Sequence, residues 1–216
     1  MTDDLDAIAL LADPARRAAY RVVVDAAPDP VGRDEVAAKL NVGRTLAAFH
    51  LDKLVAAGLL EASYARRTGR TGPGAGRPAK LYRRAPDERA VSVPPRRYLS
   101  AAELLAEAVE RAGVDETLYL VANRRGRAEA VPGADPVEAL AARGYEPTTE
   151  PTTDATTVRL RNCPFHVLAD DFPPLVCGMN LALIAGLVDG TAWEARLDPT
   201  PGHCCVALSK NNQTDL

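Results

Sequence analysis

An α+β chain in two parts is predicted by three observations. Two short helix-patterned segments within 33–60 are joined by a tight turn, a basic hairpin rich in Gly and Pro follows them directly, and helical and alternating segments are mixed beyond residue 98. At 216 residues and 47% hydrophobic, the chain can bury one or two cores of ordinary size. No apolar run reaches eighteen residues and no basic-then-apolar leader opens the chain, since Asp3, Asp4 and Asp6 follow Met1 closely. A cytoplasmic protein that does not enter membranes is the expectation.

The first helical region is 3–27. Its Asp13-Pro14 step predicts a helix restart, because Asp caps well and Pro fits a first helical turn. In 33–40 (RDEVAAKL), the spacing of Val36, Ala37 and Leu40, continued by Val42, predicts a short helix with one buried stripe, broken by Asn41 and Gly43. In 45–60, Ala47, Leu51, Leu54 and Val55 share one helical face, with Thr45, Phe49, Asp52 and Lys53 opposite. Two helices joined this tightly match a helix-turn-helix, whose second helix enters the major groove of DNA with its N-terminal residues at the base edges. The residues so placed are Arg44, Thr45, Ala48 and Phe49, then Lys53, with His50 at the margin of the face, where it either meets a base or packs inward.

LLEASYARR and KLYRRA flank TGRTGPGAGRPA, which cannot hold a helix, so a hairpin with a long tip is predicted. Between Ala62 and Arg84 it carries seven basic residues, Arg66, Arg67, Arg70, Arg77, Lys80, Arg83 and Arg84, and no acidic one. Such charges also keep an edge strand from pairing. Following a helix-turn-helix they have a counterpart in phosphates, and Arg66, Arg67, Arg70, Arg77 and Lys80 are the candidate contacts. Net charge is −3 over 1–61, +8 over 62–97 and −8 over 98–216, so an overall pI of 5.7 conceals a local cationic surface. The predicted arrangement is a winged helix-turn-helix over 1–85, a linker over 86–97 disfavoured from regular structure by Pro86, Pro94 and Pro95, and an α+β effector domain over 98–210.

That second domain opens with Ser100 and Glu103 spaced as a capping box for a helix to about Ala112. Its Leu99, Leu104, Leu105, Ala108 and Val109 are expected in the core, with a dimer seam as the alternative. Further helices are expected over 116–130 and 136–143, strands over 145–149 and 156–161, a buried helix over 174–188, and a terminal strand pair over 192–197 and 203–208. Trp193 and Phe172 read as core, and Asp170-Asp171 as a solvated acidic corner.

All four cysteines fall in this domain. A disulfide framework does not suit a cytoplasmic chain of this size, which leaves buried structural thiols or metal ligands. Three local contexts favour ligands. Cys163 sits in NCPFH, after a strand and before Pro164; Cys177 lies in the first turn of a helix begun at Pro174, where the dipole favours an anionic sulfur; Cys204 and Cys205 follow the turn DPTPG. Thiolates from loop, helix start and strand start suit an iron-sulfur cluster or zinc. Strand alternation assigns only one of Cys204 and Cys205 to the inner site, leaving a fourth position for His166, His203, water or the other cysteine. His166, at Cys163-Pro-Phe-His166, has a spacing that also suits zinc, but it reads first as a satisfied core or surface histidine.

The run FHLDKLVAAGLLEA together with GRPAKLYR resembles the winged helix of ArsR-type bacterial transcriptional regulators, over about residues 5–85. That resemblance implies that Arg77 at the wing tip reaches toward a minor groove and that the N-terminal helical region packs under the recognition helix. The combination NCPF, PPLVCGMN and PGHCC resembles the SufR-like repressors that sense iron-sulfur clusters, over about residues 155–208. It implies a homodimer that binds an operator when each subunit carries a cluster. Cys163 and Cys177 match the first two ligand positions, and one of Cys204 and Cys205 the third. Alternatives are a regulator of the same architecture responding to zinc or a small organic ligand with structural cysteines, and a vicinal thiol switch at Cys204-Cys205. An enzyme with Cys163 as nucleophile is not expected, since no oxyanion site is evident.

Overall fold

The structure is a computed structural model and describes residues 3–65, 78–151 and 155–211. It is mixed α+β, with two small antiparallel sheets, and divides into one unit spanning Met1–Arg96 and another spanning Arg97–Leu216.

In the first unit, α1 (Asp4–Ala9) passes through a 3-10 turn (Leu10–Ala12) into α2 (Pro14–Asp25). The restart at Pro14 is present, and Asp13 Oδ1 accepts a 2.9 Å hydrogen bond from the Arg16 N–H. β1 (Val31–Gly32) leads into α3 (Arg33–Leu40), where Glu35 Oε2 accepts 2.7 Å from the Gly32 N–H. Asn41 ends α3 in the left-handed region at φ 52°, a conformation its short polar side chain tolerates.

α4 (Arg44–Ala56) begins after this three-residue turn. It stops four residues short of the expected end, because Gly58 turns the chain at φ 71° into β2 (Leu60–Ala65). β3 (Ala79–Arg84) pairs antiparallel with β2 from Leu60↔Arg84 to Ala65↔Ala79, and β1 joins its other edge through Val31↔Tyr82. The core gathers Ala19 and Val23 of α2, Val36 of α3, Leu51 and Leu54 of α4, and Leu60 and Tyr82 of the sheet. The segment expected as a free linker holds no helix or strand before Tyr98, yet its Arg89 Nη1 donates 2.7 Å to Asp4 Oδ1 within the first unit.

The second unit starts with α5 (Tyr98–Ala112), not at a Ser100 cap. Its N-cap is Arg97, whose carbonyl accepts from the Ala101 N–H at 3.1 Å, so Ser100 lies inside the helix and the expected capping box does not form. After α6 (Asp115–Glu129) come α7 (Pro136–Ala141), β4 (Pro147–Pro151), β5 (Ala155–Leu160), α8 (His166–Asp171), α9 (Pro173–Leu187), β6 (Glu194–Leu197) and β7 (Val206–Asn211). The four strands run in the order β4-β5-β7-β6, each antiparallel to its neighbour. Leu140, Val158, Leu160, Ile184, Val206 and Leu208 form the core.

Helices α6 and α9 meet backbone to backbone. A Cβ on Gly126 would run into the Leu183 carbonyl oxygen, and one on Gly186 into that of Asn123. Among the residues of α5 only Ala106 is buried, so the expectation that α5 belongs to the core is corrected. Its leucines find no apolar surface to cover them within the described unit.

Candidate functional site

Two features stand out, one in each unit. In the first, the N-terminal face of α4 is open. Arg44, Thr45, Phe49 and Lys53 are exposed and Ala48 is half-buried, while the opposite side carries the fully buried Ala47, Leu51 and Leu54. Leu46 and Tyr64, exposed at 46% and 67%, add apolar surface on α4 and β2 that the pattern of residues 44–53 did not single out. Arg44 Nε lies 3.3 Å from Asp34 Oδ1, and Lys53 Nζ stands 5.8 Å from the centre of the Phe49 ring. His50 is corrected as a base contact. It is 7% exposed and packs inward, with Nδ1 lacking a hydrogen-bond partner among the described residues.

Asp52 ties α4 to the hairpin. Its Oδ1 accepts 2.7 Å from Lys80 Nζ and 3.0 Å from the Tyr82 hydroxyl. Burial first, then the hydrogen bond to Asp52, pushes the Tyr82 phenol up. Lys80 is therefore already engaged with a carboxylate, not free as the charge count suggested. Arg66, Arg67, Arg70 and Arg77 lie outside the described residues.

In the second unit, four cysteines far apart in sequence come together. All are free thiols, Cys204 buried and the others half-buried. Cys163 and Cys205 both act electrostatically on Cys204, and each is also influenced by Cys177, so the four thiols are neighbours.

The placement of each sulfur has a local cause. Cys163 follows β5 in a turn where its carbonyl accepts 3.0 Å from the His166 N–H, which starts α8. Cys177 is the fifth residue of α9, one position past its first turn, because the helix starts at Pro173. Cys204 and Cys205 precede β7, which starts at Val206 and not at His203. The Cys204 N–H donates 2.7 Å to the Leu160 carbonyl, and the Cys205 carbonyl accepts 2.8 Å from the Asp198 N–H. Both residues lie ahead of the strand on which their alternation was expected, Cys204 buried and Cys205 half-buried.

Electrostatics follow from the donors. Hydrogen bonds from Cys163 and Cys205, then the Val206 N–H and the Asn180 amide, hold the Cys204 thiol well below its usual range. Cys163 and Cys205 are pushed up, first by serving Cys204 as donors and then by burial. The chain thus favours one thiolate between two thiols. Fully buried Asn180 donates from Nδ2 to Cys204 Sγ at 3.3 Å and accepts 2.6 Å at Oδ1 from the Tyr145 hydroxyl. Neither residue was picked out as functional, although Asn180 is the one polar amide inside the apolar run PLVCGMNLALIAGLV.

The two histidines offered as fourth ligands turn elsewhere. His166 Nδ1 is 3.6 Å from Asp170 Oδ1 on exposed α8, and His203 Nδ1 is 3.2 Å from the Pro201 carbonyl. Beside Cys177 opens an apolar cleft of about 610 Å³ lined by Tyr119, Gly178, Leu181, Ala182 and Ala195 among others. Among the described residues no group of three or more His, Cys, Asp or Glu side chains stands ready to hold a metal ion. What the site offers a thiophilic group is four neighbouring thiols, one of them favoured as thiolate.

No protein-family model, curated protein or solved structure matches the chain. Among the described residues no helix is long and apolar enough to cross a membrane.

Proposed function

We propose that this chain is a sequence-specific DNA-binding transcriptional regulator, a repressor acting as a homodimer, whose second unit responds to an iron-sulfur cluster held by Cys163, Cys177, Cys204 and Cys205. The first unit is read as a winged helix-turn-helix, with α4 as the recognition helix and β2–β3 as the wing. The observation that carries the reading is the open face of α4: Arg44, Thr45, Phe49 and Lys53 are exposed on a helix whose other side is core, and a hairpin of basic sequence follows it. Acidic residues dominate beyond residue 98, so docking on phosphate belongs to the first unit.

Cys163, Cys177, Cys204 and Cys205 would hold the cluster, which would supply oxygen- and redox-labile chemistry when bound. The protein's own part is to hold the sulfurs near one another and to favour the thiolate at Cys204. Asn180 and the Val206 N–H steady the charge on Cys204, Tyr145 fixes the Asn180 amide, and the cleft beside Cys177 gives access from solvent. Order in the segments carrying these cysteines is then coupled to effector state, and an effector biases operator affinity only by differing in affinity for the two states. A second reading, zinc binding or thiol oxidation, draws on the S–H···S contacts themselves, because neighbouring thiols at Cys163 and Cys204 also suit a labile disulfide.

Selection from a random duplex pool tests the regulator. The intact protein is expected to enrich one motif, with two half-sites about one helical turn apart. Arg44→Ala is expected to change the preferred bases, whereas replacing a wing arginine weakens binding to all sequences and flattens the salt slope by about one unit. Recovery of no motif, or an unchanged motif with Arg44→Ala, counts against α4 as the reading helix.

A further inference from the structure

The open face of α4 has a carbon centre and charged margins. At about 100° per residue, the fully buried Ala47, Leu51 and Leu54 define its core side. Thr45, Ala48, Phe49 and Asp52 run along the middle of the opposite arc, with Arg44 at one margin and Lys53 at the other. Three of those four middle positions end in carbon: the Thr45 methyl beside its hydroxyl, the Ala48 methyl and the Phe49 ring. The helix contains no Asn or Gln, the side chains that pair bidentately with adenine.

Polar groups on the same face are already engaged. Arg44 Nε lies 3.3 Å from Asp34 Oδ1, which leaves the rest of that guanidinium for a base or a phosphate. Asp52 Oδ1 accepts from both Lys80 Nζ and the Tyr82 hydroxyl. Phe49, by contrast, is 50% exposed and yet held in place. Its ring stands edge-on to that of His50, with centroids 5.5 Å apart and planes at 68°, and Lys53 Nζ lies 5.8 Å from its centre. His50 is itself buried, so the ring is braced from the core side of the helix. A braced ring loses little rotamer freedom on docking.

Of the four bases, only thymine presents a methyl group in the major groove, and apolar side chains such as Ala, Phe and the Thr methyl are its matching contacts. We infer that Phe49, together with Ala48 and the Thr45 methyl, reads thymine methyl groups in the operator, by burying carbon against carbon and not by hydrogen bonding. The inference rests on the regulator reading above and names the base that the middle of α4 selects. Cations at both margins of the strip, Arg44 and Lys53, and a net charge of +8 over 62–97 match the phosphates that border a groove. That complementarity sets duplex DNA ahead of an apolar protein surface as the occupant.

The test uses the full chain purified without air and the duplex motif that it enriches from a random pool. Deoxyuridine, which lacks only the methyl group, replaces thymidine one position at a time. At one or more thymines of each half-site the dissociation constant is expected to rise about fourfold, the equivalent of one methyl group withdrawn from contact. At those positions 5-methylcytosine should bind more tightly than cytosine. Phe49→Ala, outside the core, should keep its circular dichroism, bind the unmodified motif more weakly and lose the distinction between thymine and uracil at one of those positions. Phe49→Leu should restore that distinction. Uracil tolerated at every thymine, or a motif with no A·T pair in its half-sites, overturns the inference and leaves the regulator reading standing. So does a uracil penalty that Phe49→Ala leaves unchanged at every position, since the methyl then acts through the shape of the duplex. A pool that yields no motif, with the protein as purified and after cluster removal, removes the regulator reading and the inference together.

Discussion

Replacing Gly186 by alanine should destabilise the second unit, although helix propensity alone predicts the opposite sign. In an unconstrained helix Gly→Ala stabilises by about 1 kcal/mol. Here the added Cβ would run into the Asn123 carbonyl oxygen and lie 2.9 Å from the Arg127 nitrogen, both backbone atoms of α6. Backbone cannot rotate aside, so α6 and α9 must separate, at the upper end of the about 1–3 kcal/mol typical of overpacking. The balance is a net loss of about 2 kcal/mol. Gly126→Ala meets α9 in the same way and should behave alike. Gly178→Ala differs, because its Cβ would meet only the end of the Tyr119 side chain, at 2.5 Å, and a partly exposed ring can swing away. Its cost should be under about 1 kcal/mol. Trp193 is the one tryptophan and packs against the core of this unit, so urea unfolding followed by its fluorescence reads the effect directly. Stabilisation by Gly186→Ala of about the helix-propensity increment would refute backbone contact between the two helices.

Three further outcomes follow from the hydrogen bonds and from burial. Asn180→Leu strips the Tyr145 hydroxyl of its acceptor and Cys204 of a donor, and should cost about 2–3 kcal/mol while moving the acid limb of the pH dependence of Cys204 alkylation upward; an unmoved limb would separate the amide from the thiolate. Asp52→Ala removes the partner of both Lys80 and the buried Tyr82 hydroxyl, and faster amide exchange along β3, at a cost of about 1–2 kcal/mol, is expected; unaltered exchange would mean the hairpin is held by other contacts. Tyr82 and Tyr145, both raised chiefly by burial, keep their protons where unfolded phenols lose theirs, so the native state binds more protons and stability is full below about pH 10 and falls as pH rises above it; a flat denaturant midpoint from about pH 9 to about pH 11 would contradict this.

The parts of the fold legible in the sequence are those set by local chemistry. Asp13-Pro14 starts α2, Asn41 and Gly43 separate α3 from α4, and the apolar run of α9 appears within one residue of its expected ends. What escaped depends on contacts distant in sequence. β1 is two residues long and exists only because Val31 finds Tyr82, and α8 fills the turn between Cys163 and α9 without a periodic pattern of its own. Ser100 and Glu103 carry the spacing of a cap, yet the chain after Pro95 is free to coil three residues earlier, from a cap at Arg97.

At the candidate site, Cys163, Cys177 and one of Cys204 and Cys205 were expected together, and the place of the second of that pair was left open. Placing β7 at His203 imposed an alternation that Cys204 and Cys205 escape by lying ahead of the strand. His50 was ambiguous because it sits where the buried and open arcs of α4 meet, and the core decides in favour of burial. Leu99, Leu104 and Leu105 were expected in the core, with a dimer seam as the alternative, and only the packing of the whole unit leaves them exposed.

The account turns on the four thiols holding a cofactor. The most direct measurement is iron and acid-labile sulfide per chain, with the visible spectrum, on protein purified without air, alongside Cys204→Ser. Iron and sulfide in the intact protein with a broad visible band, both lost in Cys204→Ser, is the result predicted. A colourless, iron-free protein that also fails cluster reconstitution, or iron content unchanged by Cys204→Ser, would contradict it.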